Sequence, residues 1–190
     1  MISAIFLAAG QSKRLLKENK LLKTYKKKPL ISHSLNSLIK SKVNKIIIVL
    51  GYESSKVRKA IKKIKKIIFI FNNYYKKGMS SSIKTGIKRL SKKNKGFIIV
   101  QSDMPFIKTN HINKICNSIQ KKKYLVHTLK FRNRVGNPIG FDISVLNKFK
   151  KIKGEYGAKF MVKRLNKQTN FIKITSSKVF KDFDSKKDFS

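Results

Sequence analysis

Short apolar runs alternate with amphipathic stretches along this chain. Ile2, Ala4, Ile5, Phe6 and Leu7 form the first run, which reads as a strand buried on both faces of a sheet. Behind Pro29, Ile31, Leu35, Leu38 and Ile39 recur at helical spacing and predict a helix over residues 31–39. Residues 46–50 predict the next strand, 55–64 a helix capped by Ser54 or Ser55, and 67–71 a third strand. A helix over 80–90 and a fourth strand over 97–100, running out to Asp103, complete a β-α-β-α-β-α-β order. Beyond Thr109 the pattern predicts a helix to 119, a strand at 125–131, a short extended piece at 138–141, a helix at 158–165 and a last strand at 171–174. Helices of crossover length between short apolar strands imply an α/β architecture: one doubly wound, mostly parallel sheet with helices on both faces. There is no internal repeat, and residues 1–190 read as a single domain.

Composition narrows the classes. With 190 residues and 41% hydrophobic content the chain can bury a sizeable core, and it is not of disordered composition. Its one cysteine, Cys116, sits beside Ile112, Ile115 and Ile119 and reads as a buried inert thiol, so no disulfide framework exists. His33, His111 and His127 share no metal-ligand spacing and read as surface residues of helices or strands; zinc is not expected. The chain enters its first strand without a charged leader, and no apolar run nears the about 18 residues of a membrane span. A soluble cytoplasmic protein without a membrane partner is the expectation.

Charge adds a rival reading. Against 8 acidic residues stand 47 Lys and Arg, a formal +39, and such a field attracts any polyanion. The lysines are scattered over most predicted helices and turns, as at Lys62, Lys63, Lys65, Lys66 and Lys121 to Lys123, and arginine is scarce where a base-reading surface favours it. Lysine, isoleucine and asparagine are abundant together, as drift toward A and T in the coding DNA produces. Weak, salt-sensitive binding to nucleic acid follows, with no specific nucleic-acid partner.

The chemistry concentrates at strand ends. Leu7-Ala8-Ala9-Gly10-Gln11-Ser12-Lys13-Arg14, followed by Lys20, joins the first strand to a loop of small residues whose N–H groups can converge on phosphate oxygens. Arg14 and Lys20 add a forked and a point cation, complementary tools for a triphosphate; the plainer alternative is a tight turn with solvated basic residues. In an open parallel sheet ligands bind outside the carboxyl ends of the strands, where Gly10, Gly78 and Asp103 all fall. The helix opening at Ser80 can offer free N–H groups to an anion, with simple N-capping the alternative for its serines. Asp103 suits Mg2+, which takes few carboxylates plus phosphate oxygens and water; a capping or turn aspartate is the alternative.

Several of these segments together resemble one family. Leu7 to Arg14 with Lys20 is similar to its LAAG opening, and Gly78-Met79-Ser80-Ser81-Ser82-Ile83 with Gly86 to its GMSSSL segment. Ser102-Asp103-Met104-Pro105 matches DMP, Gly136-Asn137-Pro138 with Phe141 matches GNP, and Gly154-Glu155-Tyr156-Gly157-Ala158 resembles GDxGA. Asp182-Phe183-Asp184-Ser185 with Asp188 resembles the closing DIDTPED. The chain thus resembles the molybdenum cofactor nucleotidyltransferases, most closely the cytidylyltransferases. It departs from them where Leu15, Leu16, Lys17 and Glu18 replace the glycine stretch after the arginine, and where Ser185-Lys186-Lys187 replaces Thr-Pro-Glu. The resemblance implies transfer of CMP from CTP to the terminal phosphate of the molybdopterin cofactor, with Mg2+ and release of pyrophosphate. Arg14, Lys20 and Asp103 are then catalytic, with Asp103 and Asp184 holding the metal. Leu7, Ala8, Ala9, Gly10, Gln11, Ser12, Arg14, Lys20, Gly78, Met79, Ser80 and Ser81 bind the nucleotide, and Asn137 and Pro138 the acceptor. The product passes to a recipient molybdoenzyme or its chaperone. A guanylyltransferase or other transferase on the same fold, a basic nucleic-acid-binding protein and a noncatalytic cofactor-delivery protein are the rivals.

Overall fold

A computed structural model describes every residue except Lys13, Arg14, Leu16, Lys17 and Ser190. The first apolar run is β1 (Ile2–Ala8). It is followed by a two-residue hairpin, β2 (Thr24–Tyr25) and β3 (Lys28–Pro29), and by α1 (Leu30–Ile39). Next come β4 (Lys45–Leu50), α2 (Ser54–Lys59), β5 (Ile67–Phe71), α3 (Met79–Ile87) and β6 (Gly96–Gln101). The second half holds α4 (Thr109–Gln120), β7 (Val126–Phe131), β8 (Arg134–Asp142), a 3-10 segment (Ile143–Lys151), α5 (Ala158–Arg164) and β9 (Thr169–Lys173).

Seven strands form one sheet in the order β5-β4-β1-β6-β8-β7-β9. β5, β4, β1 and β6 run parallel to one another, β9 runs parallel to β7, and β8 alone is reversed, antiparallel to both β6 and β7. The period-two alternation of buried strand residues sends Ala4, Phe6, Ile46, Ile48 and Ile98 to one face, where α1 and α4 supply Ile31, Leu35, Ile112 and Ile115. It sends Ile5, Ile47, Val49, Phe97 and Ile99 to the other, under Ile83 of α3 and Met161 and Val162 of α5. Both faces are covered, which is why these strands read as continuous apolar runs. Among the described residues no helix is long and apolar enough to cross a membrane.

Two elements and one residue differ from expectation. The extended piece expected at 138–141 is the middle of a nine-residue strand, β8. Its glycines and proline disguise it. A Cβ on Gly140 would stand 2.4 Å from Ile115 Cγ2, so only glycine lets α4 lie on the sheet there. Pro138 falls where the β7 and β8 register shifts between Thr128 and Leu129, a bulge in which its missing N–H costs no ladder bond. The helix expected over 55–64 ends at Lys59 and is not serine-capped: Glu53, in a left-handed conformation, precedes it. Continuing the helix would stack Lys62 and Lys63 over Lys59, adding like-charge pairs at i,i+3 and i,i+4. His127 is not a surface residue but fully buried on β7, with Nδ1 2.7 Å from Ser118 Oγ, which also accepts from Asn170 Nδ2 at 2.6 Å. Cys116 is buried as expected, and burial pushes its thiol up to about 11.

Candidate active site

The carboxyl ends of β1 and β6 lie side by side, and the loops that leave them build the site. Ser102 Oγ donates to Leu7 O at 2.6 Å, tying the end of β6 to the end of β1 and delivering Asp103 beside the first loop. On the other side of β1, a Cβ on Gly51 would stand 2.7 to 2.8 Å from Tyr75 Cβ, Ala9 Cβ and Ala9 O, so glycine alone admits this close approach. Ser12 takes a left-handed backbone and its Oγ accepts from Lys20 N at 3.1 Å, which brings Lys20 back over the strand ends.

Lys20 is the hub. Its Nζ donates to Asp103 Oδ2 at 2.6 Å and to Asp184 Oδ1 at 2.5 Å, joining residues 83 and 164 positions apart in the chain. The side chains of Lys20 and Asp103 are 13% and 17% exposed and that of Asp184 35%, so the three form a largely desolvated cluster open on one side. Burial works against the charge on Lys20, yet Asp103 and then Asp184 outweigh it and hold the amine above its ordinary value. Burial likewise drives the Asp103 carboxyl up, against the pull of the Lys20 ammonium. Asp103 Oδ1 is buried with no hydrogen-bond partner among the described residues. A hard divalent cation fits these donors: an orphaned carboxylate oxygen beside a second carboxylate, with room for phosphate oxygens and water. Among the described residues no group of three or more His, Cys, Asp and Glu could hold a metal ion, so a metal at this pair needs the ligand's own oxygens.

A cavity of about 440 Å³ opens above this cluster, walled by Leu7, Ala9, Gly10, Gln11 and Ser12 on one side and by Gly78, Met79 and Ser82 on another. A second cavity of about 680 Å³ adjoins it, with Arg134, Asn137, Lys159 and Lys163 in its wall. Met79, Gln101, Glu155 and Asp182 line both and form the divide. Asn137 stands at the divide because β8 is reversed: its amino-terminal half lies at the carboxyl end of β6, where Asn137 Nδ2 donates to Gln101 Oε1 at 2.8 Å.

Most of the expected site residues converge here, and some take other places. Leu7, Ala9, Gly10, Gln11, Ser12, Lys20, Gly78 and Met79 line the first cavity with Asp103 and Asp184. Ala8 does not; at 1% exposure it closes the core on the α1 face. Ser80 is buried at the start of α3, its N–H bonded to Gly154 O at 3.0 Å, and Ser81 Oγ bonds to the carbonyls of Tyr74 and Gly78, both at 2.8 Å. Neither serine reaches the cavity; Ser82 does, because the helical turn rotates it inward. Pro138 is buried in β8 away from both cavities. Arg14 lies outside the described residues.

The sequence alone assigns no role to Glu155, Asp182 or Gln101, which line both cavities. Glu155 Oε2 accepts from Met79 N at 3.3 Å, and a Cβ on Gly157 would stand 2.5 Å from Met79 Sδ, so the 154–157 turn closes over the start of α3. Gln101 is legible as a polar residue ending a buried strand two positions before Asp103, while Glu155 and Asp182 lie inside the GDxGA-like and DIDTPED-like segments.

Comparisons with known proteins agree with this architecture. Over 128 residues the chain is 34% identical to a 2-C-methyl-D-erythritol 4-phosphate cytidylyltransferase of Lachnoclostridium phytofermentans, a stretch covering 64% of this chain and 53% of that protein. The chain thus spans about half the length of the curated relative it matches. Rv0371c of Mycobacterium tuberculosis H37Rv has a similar fold, with a TM-score of 0.85 at 19% identity over 100% of this chain and 96% of that one. The same protein in complex with manganese gives 0.76 at 18% identity over 92% and 89%. A nucleotidyl transferase from Methanothermobacter thermautotroptrophicus gives 0.84 at 16% identity over 100% and 94%. A family model, that of the MobA-like NTP transferase domain, matches residues 4–169, and with that match the chain belongs to the family of MobA-like NTP transferase domains.

Proposed function

We propose that this chain is a nucleotidyltransferase that moves CMP from CTP to the phosphate of a small acceptor, releasing pyrophosphate with Mg2+. The observation that carries the reading is the convergence of the first loop, Asp103, Asp184 and Lys20 in the wall of the first of two adjoining cavities. The first cavity takes the nucleotide. Backbone groups of Ala9, Gly10, Gln11 and Ser12 hold its phosphates, Arg14 neutralises the leaving β and γ phosphates, and the Gly78 to Met79 segment borders the base and ribose. Asp103 and Asp184 would hold the divalent cation, which would supply neutralisation of phosphate charge there. Lys20, seated between those carboxylates, neutralises the α-phosphate. An acceptor phosphate oxygen attacks the α-phosphorus in line, the α–β bridging P–O bond breaks, and its electron pair leaves with pyrophosphate. The acceptor is already an anion, so no general base is needed, and placement across the divide at Asn137 and Gln101 does the remaining work.

Two acceptors suit the second cavity. The motif resemblance favours the terminal phosphate of molybdopterin, whose dinucleotide product then passes to a molybdoenzyme or its chaperone. The 34% identical relative, named for 2-C-methyl-D-erythritol 4-phosphate, favours that smaller phosphate. The test incubates the protein with Mg2+, each nucleoside triphosphate and each acceptor, and measures pyrophosphate and product. CTP is expected to outcompete GTP by about 10 to 200 fold, the discrimination typical of pocket contacts. Asp103→Asn, folded, is expected to lose on the order of a hundredfold in turnover. Preferential use of GTP removes the cytidylyl assignment, and full activity of Asp103→Asn removes the metal role of Asp103.

A further inference from the structure

The segment that carries Asp184 belongs to no strand or long helix. After β9 the chain makes 3-10 turns at Ser177–Phe180 and Lys186–Phe189, with residues 181–185 irregular between them. A carboxylate that must stand within reach of Asp103 therefore needs fixings besides its contact with Lys20, and the described residues supply two that act on the backbone. Phe183, 1% exposed, packs edge-on against Tyr25, Phe106 and Phe189 with ring centroids 4.7, 5.8 and 5.3 Å away, and its N–H donates to Asp103 O at 3.0 Å. This docks the segment on the end of β6.

Asp188 supplies the second fixing. Its Oδ2 accepts from Asp184 N at 3.0 Å, Ser185 N at 2.9 Å and Ser185 Oγ at 3.0 Å, while Oδ1 lies 3.3 Å from Lys181 Nζ. One carboxylate thus gathers donors from both sides of the turn and anchors the residue that bears the Asp184 side chain.

We propose that Asp188 is a positioning residue that fixes the Asp184 backbone so that the Asp184 carboxylate stands beside Asp103 to receive the divalent cation. The inference rests on the reading of Asp184 as a metal ligand. It also accounts for how this closing segment is held where Ser185-Lys186-Lys187 stands in place of Thr-Pro-Glu: the acceptor is Asp188, and Ser185 contributes a backbone and a hydroxyl donor.

The test is Mn2+ binding, followed by the electron paramagnetic resonance of the free ion, with saturating CTP and no acceptor. Wild type, Asp188→Ala, Asp188→Asn, Asp184→Asn and the double variant Asp184→Asn/Asp188→Ala are compared, with circular dichroism to verify the fold. Asp188→Ala is expected to weaken Mn2+ binding about tenfold, as loss of an outer-shell partner does. Asp188→Asn, which keeps an oxygen acceptor, should recover part of the loss. The double variant should bind no more weakly than Asp184→Asn alone, because the two residues act through one ligand. Should Asp188→Ala not fold, the same cycle is run with Asp188→Asn. Wild-type affinity in Asp188→Ala, or full additivity of the two losses, overturns the inference while Asp184 stands. A silent Asp184→Asn, or no Mn2+ binding by wild type, overturns the metal reading and this inference with it.

Discussion

His127 and Ser118 show how a single residue's surroundings reverse what its type suggests. A histidine without metal-ligand spacing reads as a surface group, yet this one points into the space between α4 and the sheet, with Nε2 lacking a partner among the described residues. Burial pushes its imidazole down to about 4. Between about pH 6.5 and 4 the unfolded chain therefore binds a proton that the folded chain refuses, and stability falls as pH falls through that window. The loss between pH 7 and pH 5 is expected to be about 2 kcal/mol. Urea midpoints at the two pH values measure it, and His127→Asn, whose amide stands near the Nδ1 position, should flatten the dependence. At the same scale Lys66, one of many lysines that read as solvated, donates to the carbonyls of Ile39 at 2.9 Å and Ser41 at 2.8 Å and closes the end of α1.

Among the elements, α3 carries the tightest constraint. Gly78 opens it with a φ of 93° and a Cβ there would stand 2.6 Å from the Gly154 carbonyl, while Gly86 in its last turn faces Ile5 Cγ2 at 2.4 Å and Val49 Cγ2 at 3.1 Å from the Cβ an alanine would bring. Gly86→Ala sets two effects against each other. Helix propensity gains about 1 kcal/mol, and overpacking against the β1 and β4 side chains costs about 1 to 3 kcal/mol. Packing should win, lowering stability by about 1 kcal/mol, seen as a lower denaturant midpoint at unchanged slope; a rise in the midpoint would show that α3 can lift off the sheet freely. Elements were legible to the degree that burial shaped their residues. β1, β4, β5 and β6, buried on both faces or beside such strands, are mostly apolar and begin and end within a residue or so of the expected limits. β8 was half hidden because its packing against α4 demands glycine, which carries no strand signal.

At the scale of the whole molecule, a formal +39 is spread over a surface with few acids to answer it. The ion pairs outside the site, such as Lys23–Glu18 and Lys56–Glu53, are local and each has one exposed partner, so screening removes more repulsion than attraction. Raising NaCl from about 0.05 to 0.5 M should therefore raise the melting temperature, and should release any bound nucleic acid over the same range. A melting temperature that falls with salt would mean that ion-pair networks outweigh the repulsion.

The sequence by itself determined the order of strands and helices, the doubly covered sheet and the places where chemistry gathers. Those depend on burial period and on small or charged residues at strand ends, which are local and leave a one-dimensional trace. Only the tertiary structure decided that β8 runs backward and so carries Asn137 to Gln101, that Ser80 and Ser81 serve the fold while Ser82 faces the cavity, and that Lys20 closes on Asp103 and Asp184. Each of these turns on the direction of a strand or the rotation of a side chain. Contacts between residues as far apart as 164 positions settle such matters, and no short stretch of sequence contains them.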